Sequence, residues 1–187
     1  MSAGDAPAAL LVIDMINLLD FPRGRRMAPR AVAAARRIQT LRRSFQDRGW
    51  PVVFANDNFA RWRSDFREQV AMVVHAGGAP AEIVTRLDPG PGDHFVLKPK
   101  HSAFLGTPLA VLLAKLGVRR LLLTGMALES CVLATAIDAN SREFDVAIVR
   151  DGVAGLPELA APTLKVVEGS GVARVVGSRA AMAWADG

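Results

Sequence analysis

A chain of 187 residues, 51% of them hydrophobic, has the length of one ordinary domain and enough apolar material for a single buried core. Its one cysteine, Cys131, cannot close an internal disulfide, which points to a reducing compartment and a cytoplasmic location. The net charge of +5 is concentrated in the first part of the chain. Residues 1–70 hold 12 Arg against 7 acidic residues, and the remainder balances at 11 basic against 11 acidic. With no zinc-finger or RNP pattern beside it, this excess reads as a solvated helix face rather than a specific nucleic-acid site.

The first stretch, "MSAGDAPAALLVIDM", has no basic leader and its apolar run stops at Asp14. It is read as neither a signal peptide nor a membrane span, and no run of 18 apolar residues occurs elsewhere. "ALLVI" (9–13) is the first predicted strand. Over 29–48, Ala31, Ala34, Ile38, Leu41 and Phe45 recur at helical spacing, while Arg36, Arg37, Arg42 and Arg43 are assigned to the solvated back. Further strands are predicted at 51–56, 94–98, 119–125, 145–150 and 173–177. Helical patterns fall at 64–75, 79–87, 107–117, 129–143 and 157–169, and "LDPGPGD" (87–93) reads as a turn-rich surface loop. The strands are continuously apolar rather than alternating, as a parallel sheet covered on both faces requires. The alternation of strands and helices predicts a three-layer α-β-α, Rossmann-like α/β fold. Its sheet is mostly parallel with about six strands and right-handed crossovers, and one domain covers 1–187.

Ligands of open parallel sheets bind beyond the carboxyl ends of the strands, and three chemically capable residues stand there. Asp14 closes "LLVI", Lys98 closes "HFVL", and Cys131 follows "LLLTG" where a helix should begin. Singly, each has an ordinary explanation as a turn cap, a solvated cation or a packed thiol. Together they supply a nucleophile, a proton acceptor and a cation. A helix N-terminus and a nearby Lys98 are expected to lower the thiol pKa, and Asp14 to take its proton. Of the three histidines, His75, His94 and His101, none closes a strand. His101 is close enough to Lys98 in sequence to be placed near the pocket.

"LLVIDMINLLDF", "FVLKPKHSAFLGTPL" and "LLLTGMALESCVLATAIDA" resemble the three signature segments of the isochorismatase-like cysteine hydrolases, which include nicotinamidases and N-carbamoylsarcosine amidase. The resemblance covers nearly the whole chain. It implies that Asp14, Lys98 and Cys131 are catalytic and that the Met126-Ala127 peptide is cis. The amides of Ala127 and Cys131 would then form the oxyanion hole. The activity it implies is cleavage of the C–N bond of a small amide or carbamoyl compound through a thioester. Two alternatives remain: vinyl-ether hydrolysis of the isochorismatase type, which does not need the cysteine, and a non-enzymatic, polyanion-binding role. The resemblance further implies a homo-oligomer, dimer or tetramer, acting on a small molecule, with no membrane partner.

Metal-containing relatives carry Asp-x-His after the second strand, where this chain has Asp57-Asn58-Phe59. Without paired histidines at ligand spacing, no metal and no cofactor are expected. Phe21, Asn58, Trp62, His101 and Leu128 are the candidate pocket residues. Leu128 stands where relatives often have Thr, and Glu129 where they often have Asp.

Overall fold

The computed structural model describes residues 7–58 and 65–187. In chain order these form β1 (Ala8–Ile13), α1 (Gly24–Asp47), β2 (Val52–Asp57), α2 (Phe66–Ala76), α3 (Gly78–Leu87) and β3 (His94–Lys98). Then come α4 (Leu109–Lys115), β4 (Arg120–Met126), a π-helical turn Leu128–Val132 that runs into α5 (Leu133–Asn140), and β5 (Asp145–Ala154). The chain closes with α6 (Pro157–Gly169), β6 (Arg174–Val176) and α7 (Ser178–Asp186). The strands make one parallel six-stranded sheet in the order β3-β2-β1-β4-β5-β6.

All six residues of β1 are buried, because its two faces pack against different layers. Ala8, Leu10 and Val12 join one cluster with Ile38 and Phe45 of α1, Ile83 of α3 and Ala181 of α7. Ala9, Leu11 and Ile13 join another with Leu109 and Leu113 of α4, Ala136 of α5 and Val167 of α6. Alternate residues of a strand point to opposite faces, so an uninterrupted apolar run is what a central strand between two helical layers needs. Among the described residues, no helix is long and apolar enough to cross a membrane.

The structure departs from the sequence reading at four places. α1 begins at Gly24, five residues before the periodicity predicts, because Met27 is buried and Gly24 lies against the Leu19 carbonyl, where a Cβ would sit 2.3 Å from that oxygen. Strand β5 runs on to Ala154 through a register shift opposite Leu123 and Gly125, with exposed Arg150 and Asp151 masking the continuation. The helix α7, which the sequence reading does not contain, buries Ala181 and Ala185. Finally, Arg42 is not on the solvated back of α1. It is buried and ion-paired with Asp93, and Asp93 also accepts from the Gly90 N–H, which folds the "LDPGPGD" loop onto the helix.

Candidate active site

The strand order reverses between β1 and β4. The chain runs outward from β1 through β2 to β3, then returns to place β4 on the other side of β1. Such a switch point opens a crevice at the carboxyl edge of the sheet. Asp14 follows β1, Cys131 lies in the turn that follows β4, and Lys98 ends β3 and reaches in from the edge of the sheet.

The two central strands approach closely because Gly125 has φ +105°, and a Cβ there would lie 2.1 Å from the Ile13 carbonyl oxygen. One residue on, Asp14 takes a left-handed φ of 53° and donates its N–H to the Ala55 carbonyl at 3.0 Å. Its carboxylate is held on both oxygens. Oδ1 accepts from the Asp57 N–H at 2.7 Å and Oδ2 lies 2.8 Å from Lys98 Nζ. Only 5% of Asp14 and none of Lys98 is exposed. The ammonium also donates to the Lys100 carbonyl at 3.1 Å, and it sits 3.6 Å from Cys131 Sγ and 3.7 Å from Asp57 Oδ2.

Beyond β4 the Met126-Ala127 peptide is cis. The Ala127 carbonyl then accepts from the Ser130 and Val132 N–H groups, both at 3.1 Å, and the second of these is a five-residue step. The helix therefore begins with one wide turn, a geometry often associated with functional sites. Cys131 sits inside that turn and is partly exposed. Thr135 Oγ1 donates to the Cys131 carbonyl at 2.7 Å and accepts the Ala103 N–H at 3.0 Å, which fastens the turn to the loop after Lys98. Cys131 Sγ lies close enough to Asp14 for the carboxylate charge to act on the thiol.

The electrostatics reverse one sequence expectation. Burial, reinforced by the adjoining Asp14 charge, pushes the Cys131 thiol up to about 11, and Lys98 and Ser130 only partly oppose this. The sequence reading counted the cation and the helix end. It did not count the carboxylate, which lies nearer the cation than the thiol does. Burial raises Asp14 above the ordinary carboxylate range, against the pull of Lys98, the neighbouring thiol and the hydrogen bonds from Lys98 and Asp57. Burial also works against the charged form of Lys98, but the surrounding Asp14, Cys131 and Asp57 charges outweigh it and the ammonium is held above its usual value. At rest the site is thus a neutral thiol beside a carboxylate–ammonium pair.

The proposed pocket residues are distributed unevenly. His101 is exposed, with Nδ1 3.3 Å from Ser130 Oγ and 3.9 Å from Cys131 Sγ. Asn58 is buried and donates its N–H to the Lys98 carbonyl at 3.2 Å. Phe21 lies on the surface before α1, and Leu128 is buried in the core with Ala136 and Val132. Trp62 and Phe59 lie outside the described residues. Glu129 accepts from the Leu156 N–H through both carboxylate oxygens, tying the turn that carries Cys131 to the start of α6.

Two contributors escaped the sequence reading. Asn56 accepts the Ile16 N–H at 3.1 Å and donates to the Ile16 carbonyl at 2.9 Å, clamping the chain just beyond Asp14 to β2. Asp57 brings a second carboxylate to Lys98. A polar pair closing the apolar run "VVFA" was the available signal. The donor set does not fit a metal ion, since Asp57 faces the Lys98 ammonium. Among the described residues no group of three or more His, Cys, Asp or Glu is arranged to hold one.

The isochorismatase domain model matches residues 8–168, and the chain belongs to this family of hydrolases. Among its relatives is the isochorismatase family protein YaaI of Bacillus subtilis (strain 168), 36% identical over 149 residues, which cover 80% of this chain and 81% of that one. Ureidoacrylate amidohydrolase RutB of Enterobacter sp. (strain 638) is 34% identical over 132 residues, 65% of this chain but only 57% of RutB. The crystal structure of N-carbamoylsarcosine amidase from Thermoplasma acidophilum superposes with a TM-score of 0.66 at 28% identity, covering 91% of this chain and 96% of the amidase.

Proposed function

We propose that this protein is a cysteine hydrolase that cleaves the C–N bond of a small amide or carbamoyl compound through a thioester on Cys131. The observation that carries the reading is the convergence of a carboxylate, an ammonium and a partly exposed thiol, the ammonium lying 2.8 Å from the carboxylate and 3.6 Å from the sulfur. The relatives named amidohydrolase and amidase support the bond class.

In this mechanism Asp14 accepts the thiol proton as Sγ adds to the substrate carbonyl, so the sulfur never has to exist as a free, buried thiolate. A carboxylate whose pKa is raised by burial is a stronger base for that transfer than an ordinary one. Lys98 holds Asp14 on one side and compensates the negative charge that builds on sulfur and oxygen. The N–H groups of Ala127 and Cys131 receive the oxyanion. Asp14 hands that proton to the nitrogen as the C–N bond breaks and the amine departs, then takes a proton from the water that attacks the thioester. The C–S bond then breaks, the acid leaves, and Asp14 returns its proton to sulfur. The chemistry is metal-independent and survives chelation, and the enzyme works as a dimer or tetramer.

The test is ammonia release from a panel of small amides, ureides and carbamoyl compounds. Cys131→Ala and Asp14→Ala should each reduce turnover of a good substrate by about 10³-fold or more, and the double variant should be little worse than either. If Cys131→Ala retains near wild-type turnover, the thioester is eliminated and water-based vinyl-ether chemistry becomes the better account.

A further inference from the structure

We propose that the buried amide pair Asn56 and Gln69 positions Asp14 for catalysis, and that Gln69 stands in the interior of the protein for this purpose rather than for stability. The inference rests on Asp14 being the base of the reaction above. Gln69 lies on α2 and Asn56 on β2, and each is only 1% exposed. Asn56 Oδ1 accepts the Ile16 N–H at 3.1 Å, and Nδ2 donates to the Ile16 carbonyl at 2.9 Å. One amide thus meets both main-chain groups of one residue, which fixes which end of the Asn56 side chain is oxygen. The same Nδ2 lies 3.3 Å from the Asp57 carbonyl and 3.3 Å from Gln69 Oε1.

Both flanks of Asp14 depend on this amide. Ile16 is two residues beyond Asp14, whose left-handed φ of 53° is unfavourable for a residue with a side chain and has to be held by its surroundings. Asp57 supplies the N–H that Asp14 Oδ1 accepts at 2.7 Å. Asn56 therefore holds the main chain that carries the carboxylate and the residue whose N–H grips it. Gln69 completes the arrangement by presenting oxygen to Nδ2. An Asn56 amide turned the other way would set oxygen against oxygen.

Stability alone does not account for a glutamine at this place. Gln69 Nε2 is buried and has no hydrogen-bond partner among the described residues. A buried donor without a partner destabilises the folded state, and an apolar side chain of similar size would not carry that cost. Such local costs are retained where function needs them. The need here is precision, because a displacement of about 1 Å caused by a change away from the reacting atoms can slow a reaction about 10²-fold. Gln69 acts on Asp14 through Asn56, which makes it a positioning residue.

The test compares Gln69→Leu and Asn56→Ala with wild type and with Asp14→Asn. Gln69→Leu should keep or raise Tm, yet lower kcat for ammonia release from a good substrate by about tenfold, with KM within about twofold of wild type. Asn56→Ala, which loses both anchors on Ile16, should lower kcat by about 10²-fold. A second readout needs no substrate. Burial and then the Asp14 charge keep the Cys131 thiol neutral. A displaced Asp14 should therefore speed alkylation of Cys131 by iodoacetamide near neutral pH, about fivefold in Gln69→Leu and more in Asn56→Ala. A merely structural role gives the opposite pattern, a lower Tm with kcat and alkylation unchanged in the folded protein. Gln69→Leu within about twofold of wild type in either kcat or alkylation rate overturns the proposal, as does a fall in kcat that only tracks a fall in Tm. That variant decides the matter even where Asn56→Ala does not fold. If Asp14→Asn alters neither turnover nor alkylation, Asp14 is not the base, and this proposal falls with the mechanism above.

Discussion

Replacing Asp14 by Asn should make Cys131 more reactive toward an alkylating agent while destroying turnover. The starting point is a thiol pushed up to about 11. At pH 7.5 such a thiol is ionised to about 0.03%, against about 9% for a model thiol of pKa about 8.5, a deficit of about 300-fold. The more basic thiolate is the better nucleophile, and a Brønsted slope of about 0.45 over about 2.5 units returns roughly tenfold. Wild-type Cys131 should therefore react with iodoacetamide about 20- to 30-fold more slowly than free cysteine. Asn keeps the shape of the carboxylate and removes its charge. The Lys98 ammonium, 3.6 Å from sulfur, then acts on the thiol without the opposing Asp14 charge. The thiol pKa should drop, alkylation should accelerate, and amide hydrolysis, deprived of its base, should fall by about 10²-fold or more. Intact-mass rates of alkylation between pH 6 and 10 read the first effect, and ammonia release reads the second. A wild-type rate above that of free cysteine at neutral pH, or slower alkylation of the Asn variant, would refute the argument.

Burial raises Asp14, so the base is lost by protonation while the pH is still above the ordinary carboxylate value of about 3.9. The acid limb of kcat/KM should lie above that value, and no basic limb from Cys131 or Lys98 should appear below about pH 10. An acid limb below pH 4 contradicts this. Arg42→Leu strands the Asp93 carboxylate, 3% exposed, without its cation. It should cost about 3–5 kcal/mol, or about 10 °C in Tm, measured by thermal unfolding. Gly125→Ala forces a methyl group to within 2.1 Å of the Ile13 carbonyl at φ +105°. A loss of about 2–6 kcal/mol is expected together with loss of activity, because β1 must move and carries Asp14 with it. An active variant with an unchanged Tm would show that the strand contact tolerates a side chain.

Asp14 and Lys98 were legible in the sequence because each ends an apolar run, and residues ending strands of a parallel sheet share one rim. Cys131 was legible from the long segment around it and from its place after β4. Strand order was not legible, since hydrophobic runs report burial and not neighbours. The thiol's pKa direction was hidden for a related reason. It is set first by how far the turn buries the sulfur and then by the Asp14 charge beside it, neither of which any spacing encodes. Arg42 follows Ile38 by four positions and so lay near the buried face all along. Its charge argued for solvent, and the partner that overrides that argument, Asp93, is 51 residues away. The bulge in β5 and the wide turn at Leu128 leave no compositional mark.

The strand order also ranks the possible orders of folding by their electrostatic cost. Lys98 is wholly buried on β3, yet the carboxylate that neutralises it is carried by β1, two strands away and 84 residues earlier in the chain. Docking β3 onto β2 before β1 is in place would bury an ammonium without its main counter-charge, which costs several kcal/mol. An order in which β1 and β2 pair first avoids that cost, and it is also the order in which a ribosome delivers them. β4 then closes the other side and brings Cys131 against a charge pair that already exists. In that order Cys131 meets the pair only once β1, β2 and β3 are together.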